Sequence, residues 1–213
     1  SRRILEMLWK HKHPVGIITK NQLITRDIDI LQKMAKKNLV KVSMSITTLD
    51  ESLRAKMEPR TATGKNRIKT VDKLSAAGIP VNIMMAPIIP SINDKEIFDI
   101  AKKTSAAGAS SFNYTMVRLN GAISELFNDW IYKCYPDKAQ RVLHQIESCH
   151  GGSLNDSQFG RRMKGDGNIA EVIKQQVKMA REKYFSGRSM PEYNLSLFQK
   201  NENNQLSLFS CNQ

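Results

Sequence analysis

Gly78–Pro90, GIPVNIMMAPIIP, is an almost unbroken apolar run in a chain that holds 33 Lys and Arg against 20 Asp and Glu. A membrane segment, a core strand and the approach to a site all present this kind of sequence. Length settles the first of these, because a bilayer crossing needs roughly 18 or more consecutive apolar residues. This run is shorter and carries three prolines and an asparagine. It belongs inside a protein, with Val81 to Ala86 a buried strand that stops at its prolines.

Working outward, the words before this strand recur before another. Ser75-Ala76-Ala77-Gly78 and Ser105-Ala106-Ala107-Gly108 each close a segment of helical spacing, with glycine where a left-handed cap belongs. Those segments are marked by Ile68, Val71 and Leu74, and by Ile97, Ile100, Ala101 and Thr104; Ile28, Leu31, Met34 and Ala35 mark an earlier one. Val15–Thr19, Leu39–Ile46 and Phe112–Val117 are the other strand-like runs. Alternation of strand and helix predicts parallel strands with right-handed crossovers, and near-continuous apolar strands predict a sheet covered on both sides. Chemistry in such folds gathers at the carboxyl ends of the strands. Here those ends read Thr19-Lys20-Asn21, Ser45-Ile46-Thr47-Thr48, Ala86 to Asp94, and Arg118-Leu119-Asn120. Beyond Asn120 the pattern is helical over Ile123–Tyr135, Asp137–Cys149 and Ile169–Tyr184, with a glycine-rich basic loop, Gly151 to Gly167, between the last two.

The 213 residues allow one sizeable core. A net charge of +13 favours phosphate-bearing or other acidic partners, and suggests nucleic acid without establishing it. Cys134, Cys149 and Cys211 show neither metal-site nor disulfide spacing, which points to a reduced, cytoplasmic chain. His11, His13, His144 and His150 show no ligand spacing either and are expected at the surface or at helix ends. The opening Ser1-Arg2-Arg3 leads directly into an amphipathic helix and reads as a cut inside a larger protein.

The succession Ile18-Thr19-Lys20, Val42-Ser43-Met44-Ser45, Met57-Glu58-Pro59-Arg60, Met85 to Pro90 with Asn93-Asp94, and Arg118-Leu119 resembles the later half of radical S-adenosylmethionine enzymes. It is most similar to the branch related to spore photoproduct lyase, often labelled DNA repair photolyase-like. The loop Asp156, Ser157, Phe159, Gly160, Arg162, Met163, Gly165, Gly167 resembles that branch too, so the likeness spans roughly residues 2 to 184. It implies an α/β fold: a partial (β/α)6 barrel with its first units missing, followed by C-terminal helices. The implied divisions are 1–120 as the later half of the barrel, 121–185 as a helical extension and 186–213 as a flexible tail. The family's Cys-x3-Cys-x2-Cys loop, which holds a 4Fe-4S cluster, is absent, and the three cysteines present do not replace it. The chain alone is therefore expected to be inert, with the cluster ligands lying outside it.

From the resemblance, Lys20 is expected to meet the carboxylate of S-adenosylmethionine. Ser43 and Ser45, two apart on one strand face, are expected at its ribose or methionine moiety, and Ala86, Pro87 and Ile88 against its adenine. Each has a plainer reading: a solvated strand-end lysine, hydroxyls that satisfy buried backbone, a proline that ends a strand. Glu58, Arg60, Arg67, Arg118, Arg161 and Arg162 are candidates for contact with substrate or an anion, the alternative being surface ion pairs. In the tail, Gln205, Leu206, Leu208 and Phe209 match the pentapeptide by which bacterial repair proteins dock on the sliding clamp, and Asn194-Leu195-Ser196-Leu197-Phe198 is a near copy. The same apolar residues can instead fold back on their own domain.

The expected function is an iron-sulfur enzyme that generates a 5'-deoxyadenosyl radical from S-adenosylmethionine, takes electrons from an external donor and has nucleic acid as a candidate substrate; likeness of fold does not carry substrate. The alternative is a non-catalytic nucleic-acid-associated module tethered to the sliding clamp. A phosphate-handling barrel is disfavoured because no glycine-rich loop directly follows a strand.

Overall fold

Four strands, β1 (Val15–Thr19), β2 (Val40–Ser45), β3 (Val81–Ile88) and β4 (Ser111–Met116), form one parallel sheet in the order of the sequence. The computed structural model describes residues 1–198. Helix α1 (Arg2–Lys10) precedes β1, α2 (Ile28–Ala35) leads into β2, α3 (Glu51–Met57) and α4 (Gly64–Ala76) lie between β2 and β3, and α5 (Ile97–Ala106) leads into β4. Then come α6 (Ala122–Cys134), α7 (Pro136–Cys149) and α8 (Gly167–Tyr184). None of these helices is long and apolar enough to cross a membrane.

Local chemistry fixes the helix ends. The Asp50 carboxylate accepts from Ser52 N and Leu53 N at the start of α3, and Thr63 Oγ1 accepts from Asn66 N at the start of α4, satisfying amides that have no partner within the helix. The twin glycines follow α4 and α5 with φ of 71° and 86°. Gly108 has a second reason to lack a side chain: a Cβ there would stand 2.7 Å from Ser75 Cβ, so the two repeated turns pack directly on each other.

Alternation sorts the strands into two faces. Val42, Met44, Val81, Ile83, Met85 and Phe112 point to the outer face and pack with Leu31, Met34, Val71, Leu74, Ile97 and Ile100 in the main core. Each of these apolar side chains contributes about 1.5–3 kcal/mol on burial. The inner face carries Gly16, Ile18, Lys41, Ser43, Ser45, Asn82, Met84, Ser111 and Asn113. The expected cover on both sides is therefore replaced by an apolar outer face and a largely polar inner face. The apolar run misled because only every second residue of Val81–Ala86 meets the outer core.

Pro87 does not end β3. Pairing with β4 lapses after Met85↔Tyr114 and resumes at Ile88↔Met116, across a cis Ala86–Pro87 bond. Proline lacks the N–H of a regular ladder, but one more pairing past it is enough to carry the strand on.

The C-terminal helices do not act as one extension. Ile131, Val142 and Ile146 of α6 and α7 form a second core with Leu53, Ile89 and Leu119, beyond the carboxyl ends of the strands. In contrast, α8 joins the main core through Ala170, Ile173, Val177 and Ala180. Residues after Ser186, expected from composition to lack structure, hold defined contacts as far as Phe198: Arg188 donates to Ser105 O and Ala109 O, Lys41 Nζ sits 4.1 Å from the centroid of Tyr193, and Phe198 meets His13 edge to face. Tyr193 also reaches Gly16, which has no side chain to obstruct it. The near copy of the clamp pentapeptide thus folds back on its own domain, whereas Gln205–Phe209 lies outside the described residues.

Candidate active site

The inner wall is built strand by strand. Ile18 is the register partner of Ser43, and Ser43 that of Asn82. Asn82 Nδ2 donates to Ser43 Oγ at 3.1 Å, while its Oδ1 accepts from Ser111 Oγ and Asn113 Nδ2, each at 2.7 Å. Arg181 of α8 ends the row, donating to Asn113 Oδ1 and Phe112 O. Polar groups therefore run across three strands without a break, each paired. Ile18 is 74% exposed, so packed aliphatic groups do not fill the space over the β1 edge of this wall.

At the carboxyl lip, Lys20 follows the last residue of β1. Its Nζ lies 2.6 Å from Glu58 Oε1, and the other oxygen of Glu58, Oε2, lies 2.6 Å from Arg67 Nη2. Arg67 is 1% exposed and donates further to Ala62 O, Ser45 O and Thr61 Oγ1. Burial by itself would push the Glu58 carboxyl up, but the hydrogen bonds from Lys20 and Arg67 reverse this and hold it below its ordinary value. The expectation that Arg67 meets an outside anion is corrected here: its guanidinium is spent inside the fold, and with Glu58 it forms a buried ion pair, not a surface one. Arg60 is exposed.

Ser45 is 3% exposed, and its hydroxyl turns toward Ala86 O at 3.5 Å. Ala86 and Pro87 are half-buried at the lip, but Ile88 is fully buried in the outer core. Its side chain therefore points away from any ligand on the inner face, because the strand resumes past Pro87 with Ile88 turned outward.

Beside Ala86 and Pro87 opens a groove of about 550 Å3, walled by Met57, Ile89, Ile123, Phe127, Trp130 and Met163. Trp130 Nε1 donates to Lys56 O at 3.0 Å and its ring lies 5.3 Å from that of Phe127, which fixes the aromatic wall. Arg118 and Lys56 line the groove, and Arg118 makes no ion pair among the described residues. The aromatic wall escaped the sequence reading, although Ile123, Phe127 and Trp130 at i, i+4 and i+7 carry the signal of a shared helix face.

The glycine-rich loop is tied to this region. Met116 N donates to Met163 O and Leu119 N to Leu154 O, which fastens the loop alongside the exit of β4. Its anchor is Asp156, buried between Arg161 Nε at 2.7 Å and His150 Nδ1 at 3.2 Å, while His150 Nε2 lies 2.7 Å from Val117 O. The Arg161 guanidinium holds the Asp156 carboxyl well below the usual carboxylate range, and Asp156 in turn raises Arg161. Two expectations change as a result. Arg161 is committed to an internal carboxylate, and His150, at a helix end as expected, is buried. Arg162 stacks over Phe159, which is 90% exposed.

The donor set suits S-adenosylmethionine: an outward ammonium for a carboxylate, hydroxyl and amide groups for a ribose, and an apolar lip at Ala86–Pro87. It does not suit an iron-sulfur cluster. Among the described residues no three His, Cys, Asp or Glu side chains are placed to hold a metal, and Cys149 is buried, with its thiol pushed up by desolvation.

Residues 2–104 match the Radical SAM superfamily. Solved structures of like fold include those of spore photoproduct lyase. One mutant of that enzyme superposes with a TM-score of 0.56 at 14% identity, over 87% of this chain and 53% of the lyase. A mutant with bound AdoMet and dinucleoside spore photoproduct gives 0.53 at 16% identity, over the same shares. Among sequence relatives, an uncharacterized protein of Mycobacterium tuberculosis is 27% identical over 130 residues, 60% of this chain and 38% of the relative. An uncharacterized protein of Methanocaldococcus jannaschii is 26% identical over 145 residues, 68% of this chain and 52% of the relative. The chain thus spans only part of the length of the relatives it matches.

Proposed function

We propose that this chain forms the cofactor-binding wall and part of the substrate chamber of a radical S-adenosylmethionine enzyme. The observation that carries the reading is the polar inner wall, Ser43–Asn82–Asn113, with Lys20 at the carboxyl end of β1 and the apolar Ala86–Pro87 edge at that of β3. In this reading Lys20 receives the carboxylate of the cofactor, Ser43 faces its ribose and methionine portions with the buried Ser45 behind it, and Ala86 and Pro87 pack against adenine. With a 4Fe-4S cluster held by cysteines outside these residues and an external electron donor, the bound cofactor supplies a 5'-deoxyadenosyl radical for hydrogen abstraction.

The groove next to the lip is the natural place for the substrate. Trp130 and Phe127 offer flat apolar surface, while Arg118 offers charge. A nucleic acid base with its phosphate matches that combination, and the exposed pair Arg162 and Phe159 extends it. The test is anaerobic reconstitution of the whole protein, reduction, and assay for 5'-deoxyadenosine. Formation above background, dependent on S-adenosylmethionine, is the expected result; none with an intact cluster would eliminate radical chemistry.

A further inference from the structure

We infer that Glu58 and Arg67 are positioning residues that aim the Lys20 ammonium at an incoming carboxylate, an assignment that rests on the cofactor reading above and extends it to two residues that touch no ligand. The three side chains come from separate places in the fold: Lys20 just past β1, Glu58 just past α3, and Arg67 within α4. Charge-assisted contacts of 2.6 Å on each side of Glu58 join them into one row.

The distribution of exposure along the row separates this arrangement from an ordinary ion pair. The Lys20 side chain is 41% exposed, that of Glu58 is 8% and that of Arg67 is 2%. A Lys–Glu pair alone would be neutral, and its carboxylate would compete with any ligand carboxylate for the ammonium. Arg67 changes both points. It occupies the second oxygen of Glu58, and the row as a whole keeps one net positive charge. That charge reaches the surface only through Lys20, because Arg67 is turned inward onto Ser45 O and Ala62 O.

Geometry adds a second reason. A lysine at a strand end has a flexible four-carbon stem, and holding it costs rotamer entropy that a ligand must otherwise supply. Glu58 takes one of the three ammonium protons and fixes the stem, which leaves two donors for a ligand. Glu58 is itself held by its loop: Thr61 Oγ1 and Arg54 Nη1 both donate to Glu58 O. Arg67 then links the row to β2, since Ser45 O is the carbonyl of the last residue of that strand. The ammonium is thereby tied to the strand that carries Ser43.

The test compares two probes by anaerobic calorimetry on the whole protein: S-adenosylmethionine, and 5'-methylthioadenosine, which lacks the carboxylate. Lys20→Met and Glu58→Gln should each weaken S-adenosylmethionine at least tenfold and leave 5'-methylthioadenosine unchanged. Because Glu58→Gln leaves Arg67 poorly paired and can impair folding, the double variant Glu58→Met/Arg67→Met removes both buried charges together; it should show the same selective loss. If Lys20→Met weakens S-adenosylmethionine but both Glu58 variants bind as the parent does, the positioning role is overturned and the cofactor reading stands. If Lys20→Met also binds as the parent does, or the parent binds neither probe, the cofactor reading itself falls.

Discussion

Ile18 and Ser43 stand opposite each other on adjacent parallel strands, on the inner face of the sheet, and Lys20 follows just past the carboxyl end of β1. Replacing the half-exposed Ser43 should therefore disturb the ligand surface more than the fold. Ser43→Val is expected to raise the dissociation constant for S-adenosylmethionine tenfold or more, about 1.4 kcal/mol, with a shift in melting temperature of no more than a few degrees. Equilibrium dialysis beside scanning calorimetry checks both halves of this statement.

Arg67 should behave in the opposite way. It is a buried charge paired with a buried carboxylate, and removing one partner strands the other. Arg67→Met is expected to cost about 3 kcal/mol or more in urea unfolding. The double replacement of Glu58 and Arg67 by methionine should recover much of that loss, since no isolated charge is left behind.

The Asp156 anchor predicts acid sensitivity with a definite sign. Its carboxyl is depressed in the folded state, chiefly by Arg161, so its contribution is complete above its unfolded value of about 4. That contribution declines as pH falls from there toward the folded value. Asp156→Asn should lower stability at neutral pH, and the stabilities of the two proteins should converge on acidification. Thermal melts between neutral pH and about pH 3 would show the convergence; parallel curves would contradict it.

Much of this architecture was legible in advance because period and punctuation are local. The twin SAAG stops and the four strand-like runs correspond to real elements, since a glycine after a helix and alternation along a strand need no knowledge of the partner. What was not legible depended on contacts distant in sequence. Arg67 looks like any helix-surface arginine until Glu58 and Ser45 O close around it. Arg161 reads as a free cation until Asp156 is buried beneath it. Ile88 looked like a lip residue because nothing local reveals that pairing resumes beyond Pro87. The aromatic wall was half legible: the spacing of Ile123, Phe127 and Trp130 defines a face, but only the packing of α6 beyond the strand ends makes that face one side of a groove.

The groove predicts a separation of substrate from cofactor. Trp130→Ala removes the fixed aromatic wall without touching Lys20 or the Ser43 row. It should leave S-adenosylmethionine affinity within about twofold, under half a kcal/mol, while lowering the yield of product per 5'-deoxyadenosine formed. Chromatographic quantitation of both species in one reaction measures that ratio. An equal loss of both would place the groove with the cofactor instead.

The most direct test of the cradle is an anaerobic crystal structure of the whole protein soaked with S-adenosylmethionine. The nucleotide is expected along the carboxyl ends of β1, β2 and β3, with its carboxylate within hydrogen-bonding distance of Lys20 Nζ and its adenine against Ala86 and Pro87. Clear density for the nucleotide at another place, with Lys20 engaged by Glu58 alone, would contradict the account.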